Sequence, residues 1–321
     1  MTVRITFGIV TAKESPAAVL QLIDLIGPQH RVVIHHDFSK QENFRIRRPN
    51  VRFIEDPRVT RWGDWSFCEA ILMTMRAAMA MGSFDYFQLL SGTCLPIKPI
   101  AAFENFVGKS TSDVNMDMMC LDQDVEALMS HGFRMFARDK SLRQRLLRRT
   151  RRWYYGERPE TAQRSGLGIQ TRNESDRSEK LPSRAQVALL LMQMARRGFM
   201  FDHPYGNTWL PYIGSTWFGC RPAVCDYIAR RDPAAPTLDF MRDASLADEL
   251  YFQTLVGNSP FSIGPSNHLI NDFDDCHPRL FGLDDLPKLD HCGKYFARKF
   301  ANDSDCDIRH NIIGRVTAVH A

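Results

Sequence analysis

Alternation constrains this chain more than any other feature. Arg4 to Val10 reads as an apolar strand, Pro16 to Ile26 has helical apolar spacing with proline in its first turn, and Arg31 to His35 is a second apolar strand. Asn50 to Ile54 supplies another short strand, Phe67 to Met81 a long helix rich in Ala, Met and Leu, and Tyr86 to Leu90 a further strand. Strands separated by helices cannot pair as hairpins, so the order predicts an α/β fold with a mostly parallel central sheet and helices on both faces. Ligands of such sheets bind beyond the carboxyl ends of the strands. Those ends carry Thr11-Ala12-Lys13, His35-His36-Asp37 and Ser91-Gly92-Thr93-Cys94, three candidates for one crevice.

The chain has 321 residues, 44% of them hydrophobic and 24% charged, which is enough to bury a large core. Its net charge of +4 is modest and comes mostly from one basic tract, so nucleic acid is not an expected partner while small anions are. The eight cysteines include no C-x-x-C pair, and reduced thiols are expected. The sequence opens directly on a strand-like run with no secretory signal, giving the expectation of a cytoplasmic protein.

No G-x-G-x-x-G and no P-loop is present, so a nucleotide would be held by other means. Asp37, at a strand end, suits a ribose or base, and Trp62 offers a flat face for stacking; each also reads as ordinary turn or packing residue. Asp122 and Asp124 form an acid-x-acid pair open to two readings, a metal site bridging a diphosphate or a helix cap. From Arg134 to Arg158 ten basic residues face two acidic ones, Asp139 and Glu157, with Leu142, Leu146, Leu147 and Trp153 along an apolar stripe. This tract fits an anionic membrane surface, an acidic acceptor or a solvated amphipathic helix. Glu160 to Arg184 is polar and aperiodic, which predicts a long mobile stretch and makes about 134–184 a basic, partly mobile excursion within a single domain spanning 1–321.

Two adjacent carboxylates stand at the start of an otherwise apolar segment, Ser245 to Thr254. Ser245 and Asp248 have the spacing of a helix cap and its return partner, which gives Asp248 a local task. Glu249 has none, and a lone carboxylate on a helix buried nearly all round points to chemistry.

Several motifs together resemble a known family. Ile34-His35-His36-Asp37, Trp62-Gly63, Ser91-Gly92-Thr93-Cys94-Leu95-Pro96, Gly214-Ser215-Thr216-Trp217-Phe218, Asp248-Glu249-Leu250-Tyr251, His277-Pro278-Arg279 and Phe296-Ala297-Arg298-Lys299-Phe300 follow the order found in the core-2/I-branching N-acetylglucosaminyltransferases and peptide xylosyltransferases. The resemblance implies a GT-A type, inverting glycosyltransferase that needs no metal and no cofactor beyond its UDP-sugar co-substrate, with N-acetylglucosamine ahead of xylose. It implies Glu249 as general base, Arg279 and Lys299 at the donor diphosphate, and Thr11, Lys13, Asp37 and Trp62 around the nucleotide. Arg152, Trp153 and Trp217 are candidates for a glycan or glycoconjugate acceptor. Cys94 stands where the family often has an acid, and the tryptophan usual near Asp272-Phe273 is missing, which implies a different acceptor surface. The expected setting is bacterial polysaccharide synthesis, with the basic segment a candidate for peripheral contact with the inner membrane. Two other readings stay open: a metal-dependent transferase using Asp122 and Asp124, and an inactive glycan- or membrane-binding module on the same fold.

Overall fold

The computed structural model describes residues 3–155, 163–164, 170–171, 183–230, 236–274 and 277–318. Most of the polar excursion expected after the basic tract lies outside the described residues. The amino-terminal elements follow the predicted alternation: β1 (Ile5–Thr11), α1 (Pro16–Ile26), β2 (Arg31–His36), β3 (Val51–Phe53), α2 (Trp65–Ala80) and β4 (Tyr86–Ser91). Next come β5 (Leu95–Pro96), α3 (Ile100–Lys109), β6 (Val114–Cys120), α4 (Val125–Met135), α5 (Leu142–Tyr155), the short pair β7 (Gln163–Arg164) and β8 (Gln170–Thr171), and α6 (Ser183–Arg196). The chain continues through β9 (Tyr212–Cys220), α7 (Pro222–Arg230), α8 (Pro236–Arg242), a 3-10 turn (Ala247–Glu249), α9 (Tyr251–Gly257), β10 (Ile263–Gly264), β11 (Leu269–Ile270), β12 (Phe273–Asp274) and β13 (His277–Pro278). It ends with a 3-10 turn (Leu283–Asp285), α10 (Leu286–His291), β14 (Phe296–Ala297) and α11 (Asp307–Ala318).

A seven-stranded sheet has the order β10-β6-β9-β4-β1-β2-β3. β1 pairs parallel with both β2 and β4, whereas β9 runs antiparallel to β4 and β6. Every residue of β1 is buried, so both faces of the sheet are covered, which is why the strand reads as a continuous apolar run instead of an alternating one. The two coverings can be named. Gly8 faces α2, where a Cβ would come within 3.0 Å of Thr74 and 2.5 Å of Phe87. Phe7 faces the other way, edge-on to Phe296 at 6.1 Å, and Phe296 in turn meets Phe103 of α3 at 4.9 Å. Buried side chains from Ile5 to Val316 form one connected core.

Two additions position the site. A small sheet, β11-β14-β5, holds the carboxyl-terminal segment against the loop after β4, with the Phe300 amide donating to the Thr93 carbonyl at 3.0 Å. Helices α4, α5 and α6 form a separate helical layer. Tyr154 and Tyr155 of α5 both donate to Glu126 of α4, at 2.8 and 2.9 Å, and a Cβ on Gly132 of α4 would lie 2.5 Å from the Met192 sulfur of α6. No helix among the described residues is long and apolar enough to cross a membrane.

Candidate active site

The parallel strands deliver their carboxyl ends to one edge. Thr11 closes β1, and its hydroxyl meets His36 Nδ1 at 2.8 Å while its carbonyl accepts from the Asp37 amide at 3.0 Å. Asp37 is buried and fully engaged: one carboxylate oxygen accepts from the Ser39 amide and hydroxyl, the other from the Thr60 amide at 2.8 Å and hydroxyl at 3.0 Å. Burial opposes its charge, but these donors prevail and hold its carboxyl below the usual value. Asp37 therefore fixes the approach to Trp62. Lys13 is exposed on the loop after β1, and its amide donates to Glu14.

Trp62 is 85% exposed, a large aromatic face presented to solvent at this edge. The next residue, Gly63, has φ of 75°, a left-handed conformation that glycine adopts without strain. Its carbonyl accepts from the Leu246 amide at 2.8 Å, which ties the aromatic loop to the turn carrying Glu249.

That turn differs from the expected helix. Leu246, with φ of 58°, precedes a 3-10 turn over Ala247–Glu249, and α9 starts only at Tyr251. Ser245 makes no cap, and Asp248 has a tertiary partner instead of a local one: it is buried and accepts from the Thr216 hydroxyl at 2.6 Å. The α9 residues Tyr251 to Val256 are buried, as the sequence predicts. Glu249 sits at the rim, its side chain 35% accessible although its surroundings are densely packed. Oε2 accepts from Arg134 Nη1 at 2.7 Å. Burial raises the Glu249 pKa; Arg134 pulls it back and neighbouring Asp248 adds to the rise. Such a carboxylate, held on one oxygen and poised toward neutrality, has the properties of a general base.

The cations arrive from the carboxyl-terminal segment. The Arg298 guanidinium lies 4.9 Å from the centre of the Trp217 ring, and burial lowers its pKa against the pull of Cys94, Glu14 and Asp248. Its Nε has no hydrogen-bond partner among the described residues. Lys299 follows, its carbonyl accepting from the Phe281 amide at 2.9 Å, which places the Arg279–Phe281 stretch alongside. Arg279 is held by two carboxylates: Nε and Nη2 donate to Asp272 at 2.9 and 2.6 Å, and Nη1 and Nη2 donate to Asp285. Asp285 and Asp272 raise its pKa.

The remaining candidates fall elsewhere. Trp217 is only 5% exposed, packed edge-on to Phe67 at 6.3 Å and covered by Arg298, so it supports a cation where an acceptor platform was expected. Arg152 is exposed on α5, and Trp153 is half-buried with Arg149 5.1 Å from its ring. Asp124 caps α4 by accepting from the Glu126 and Ala127 amides at 2.8 and 3.1 Å. Asp122 pairs with Arg196 at 2.5 Å. Among the described residues, no group of three His, Cys, Asp or Glu side chains is arranged to hold a metal ion.

Arg134, Thr216 and Arg298 emerge only from the structure. Arg298 had a signal, its place beside Lys299 in a motif; Arg134 had none beyond membership of a basic tract. A search of curated proteins finds no match. Residues 5–157, which carry β1 to β6 and the helices α1 to α5, match the family model described as Branch, Core-2/I-Branching enzyme. Over those residues, just under half of the chain, it is similar to the Core-2/I-branching enzymes, glycosyltransferases of GT-A-like fold.

Proposed function

We propose that this glycosyltransferase moves a sugar, N-acetylglucosamine ahead of xylose, from a UDP-sugar to a hydroxyl of a glycan or glycoconjugate, with inversion and without a metal ion. One observation carries the reading. The turn bearing Glu249 is hydrogen-bonded to Gly63 beside the exposed Trp62, so a base and a stacking face share one rigid connection. UDP stacks its base on Trp62, with Thr11, Lys13 and the loop fixed by Asp37 around the ribose. Glu249 takes the proton from the acceptor hydroxyl, whose oxygen attacks the anomeric carbon opposite the diphosphate. The anomeric C–O bond breaks and UDP departs, its growing charge met by Arg279 and Lys299.

The metal-dependent alternative has less support, because Asp122 is committed to Arg196 and Asp124 to the α4 amides. The acceptor is inferred to be held at a membrane, which the cationic helix α5 meets, with Arg152 and Trp153 nearest to it. Turnover of UDP-sugars in excess chelator tests the reading. It should persist, and Glu249→Gln should lower transfer roughly 10²–10⁴-fold. Transfer left intact in Glu249→Gln would remove the base, and turnover abolished by chelator would remove metal independence.

A further inference from the structure

Helices α5 and α6 contain no aspartate or glutamate, and both leave apolar side chains uncovered. On α5, Leu142 is 74% exposed and Leu146 37%, one turn apart and followed along the same stripe by Arg149 and Trp153. On α6, Val187 and Leu190 are 49% and 56% exposed, again on one face. The buried residues of each helix, Leu147 and Tyr154 on α5 and Ala185, Ala188 and Met192 on α6, lie on the opposite side. The two outward stripes meet. Arg149 and Trp153 line a shallow cavity of about 380 Å³ together with Ser183, Arg184 and Val187. At the far end Arg143 reaches Asp202 at 3.7 Å, in the stretch after α6 that also carries exposed Phe199 and Met200. One apolar band therefore runs the length of an antiparallel helix pair, bordered by Arg145, Arg149, Arg152, Arg184 and Arg197.

We propose that this face is an interfacial docking surface for an anionic lipid bilayer, lying in the headgroup region with its leucines and phenylalanine toward the acyl chains. It deepens the reading of a membrane-held acceptor by naming the surface, and α6 supplies half of it. The pattern fits a bilayer better than other anionic partners. Aliphatic side chains alternating with arginines along α5, and flanked by Arg184 and Arg196 at the two ends of α6, suit a medium that is apolar inside and charged outside, where long cationic side chains snorkel to the headgroups. A second copy of the chain would set arginine against arginine. The docked face also bears on the site, since α4, packed against both helices, carries Arg134 to Glu249.

The experiment is flotation of the full chain with vesicles of phosphatidylcholine alone or with phosphatidylglycerol, at low and high salt, beside sedimentation equilibrium. The wild type should float with phosphatidylglycerol vesicles and not with phosphatidylcholine, and salt should weaken the binding. Leu142→Ser/Leu146→Ser/Leu190→Ser, which keeps every charge, and Arg145→Gln/Arg197→Gln should each lower partitioning roughly tenfold or more, with folding and turnover of soluble UDP-sugar unchanged. Absence of binding to phosphatidylglycerol, or a leucine variant that binds like wild type, overturns the proposal. So does a wild-type dimer that the leucine variant dissolves, which assigns the face to a second copy. Loss of UDP-sugar turnover in wild type would instead sink the transferase reading and leave the flotation result standing.

Discussion

Arg134 Nη1 and Glu249 Oε2 stand 2.7 Å apart across 115 residues of chain, joining the helical layer to the edge of the sheet. The contact leaves Oε1 as the oxygen available to an acceptor and opposes the rise that burial gives the carboxyl pKa. With Glu249 as the proposed base, transfer calls for its ionised form, and the rate should climb as pH rises through its pKa. Arg134→Ala removes the stabilising cation, and the acidic limb of the pH profile should move to higher pH with kcat lowered roughly 10- to 100-fold, the scale of one charge-assisted hydrogen bond. Arg134→Lys should recover part of the shift. A profile unchanged in Arg134→Ala would show that the pair does not tune the base.

Trp62 should be removable without harm to the fold, since 85% of it faces solvent. Trp62→Ala should weaken UDP binding by about 1–3 kcal/mol, the cost of one base–aromatic stack, and leave the melting temperature unchanged. Isothermal titration with UDP alone checks it, because no acceptor is needed.

Arg279 already holds two carboxylates, Asp272 and Asp285, which fix the plane of its guanidinium. If that plane is set for a diphosphate, Arg279→Ala should cost about 2–4 kcal/mol in kcat/KM for the donor. Asp285→Asn should cost less and in the same direction, by loosening the fork. A variant at Asp285 with improved donor use would mean that the carboxylates compete with the donor for Arg279.

His35 is fully buried at the end of β2, and burial lowers its pKa to about 4. The unfolded chain binds a proton at His35 near pH 6.5, the folded chain only near 4, so this contribution to stability is complete above 6.5 and is lost as pH falls between the two. The span amounts to a loss on the order of 3 kcal/mol. Urea unfolding at pH 7 and pH 4.5 should show the decline, and His35→Gln should flatten it. Equal slopes for the two proteins would exclude His35 as its source.

Much of the fold was legible because each buried parallel strand is a short apolar run and each covering helix has its own spacing. Pro16 and Pro222 mark the starts of α1 and α7 as proline does in a first turn. The site was less legible. Thr11 and Asp37 could be placed at the strand ends by topology, but not the four hydrogen bonds, two from Ser39 and two from Thr60, that make Asp37 a clasp. Asp248 shows why local rules fail here: its spacing from Ser245 matches a cap, yet a hydroxyl 32 residues away in sequence, on β9, outcompetes the neighbouring amides. A left-handed Leu246 then replaces the first turn of helix, and no pattern of residue types announces it. Likewise the apolar run of α6 was visible, whereas the side of it left uncovered depends on where α4 and α5 lie.

The single backbone bond from Leu246 to the Gly63 carbonyl carries a lesson for grafting. Loop 60–64 and turn 246–249 form a matched pair, one contributing a carbonyl and the other an amide at 2.8 Å. A chimera that imports the aromatic loop of a relative without its turn leaves one of them without its mate and lets the base drift relative to the nucleotide. Exchanging both together preserves their spacing, so new donor preferences are best transplanted as two separate stretches of chain treated as one part.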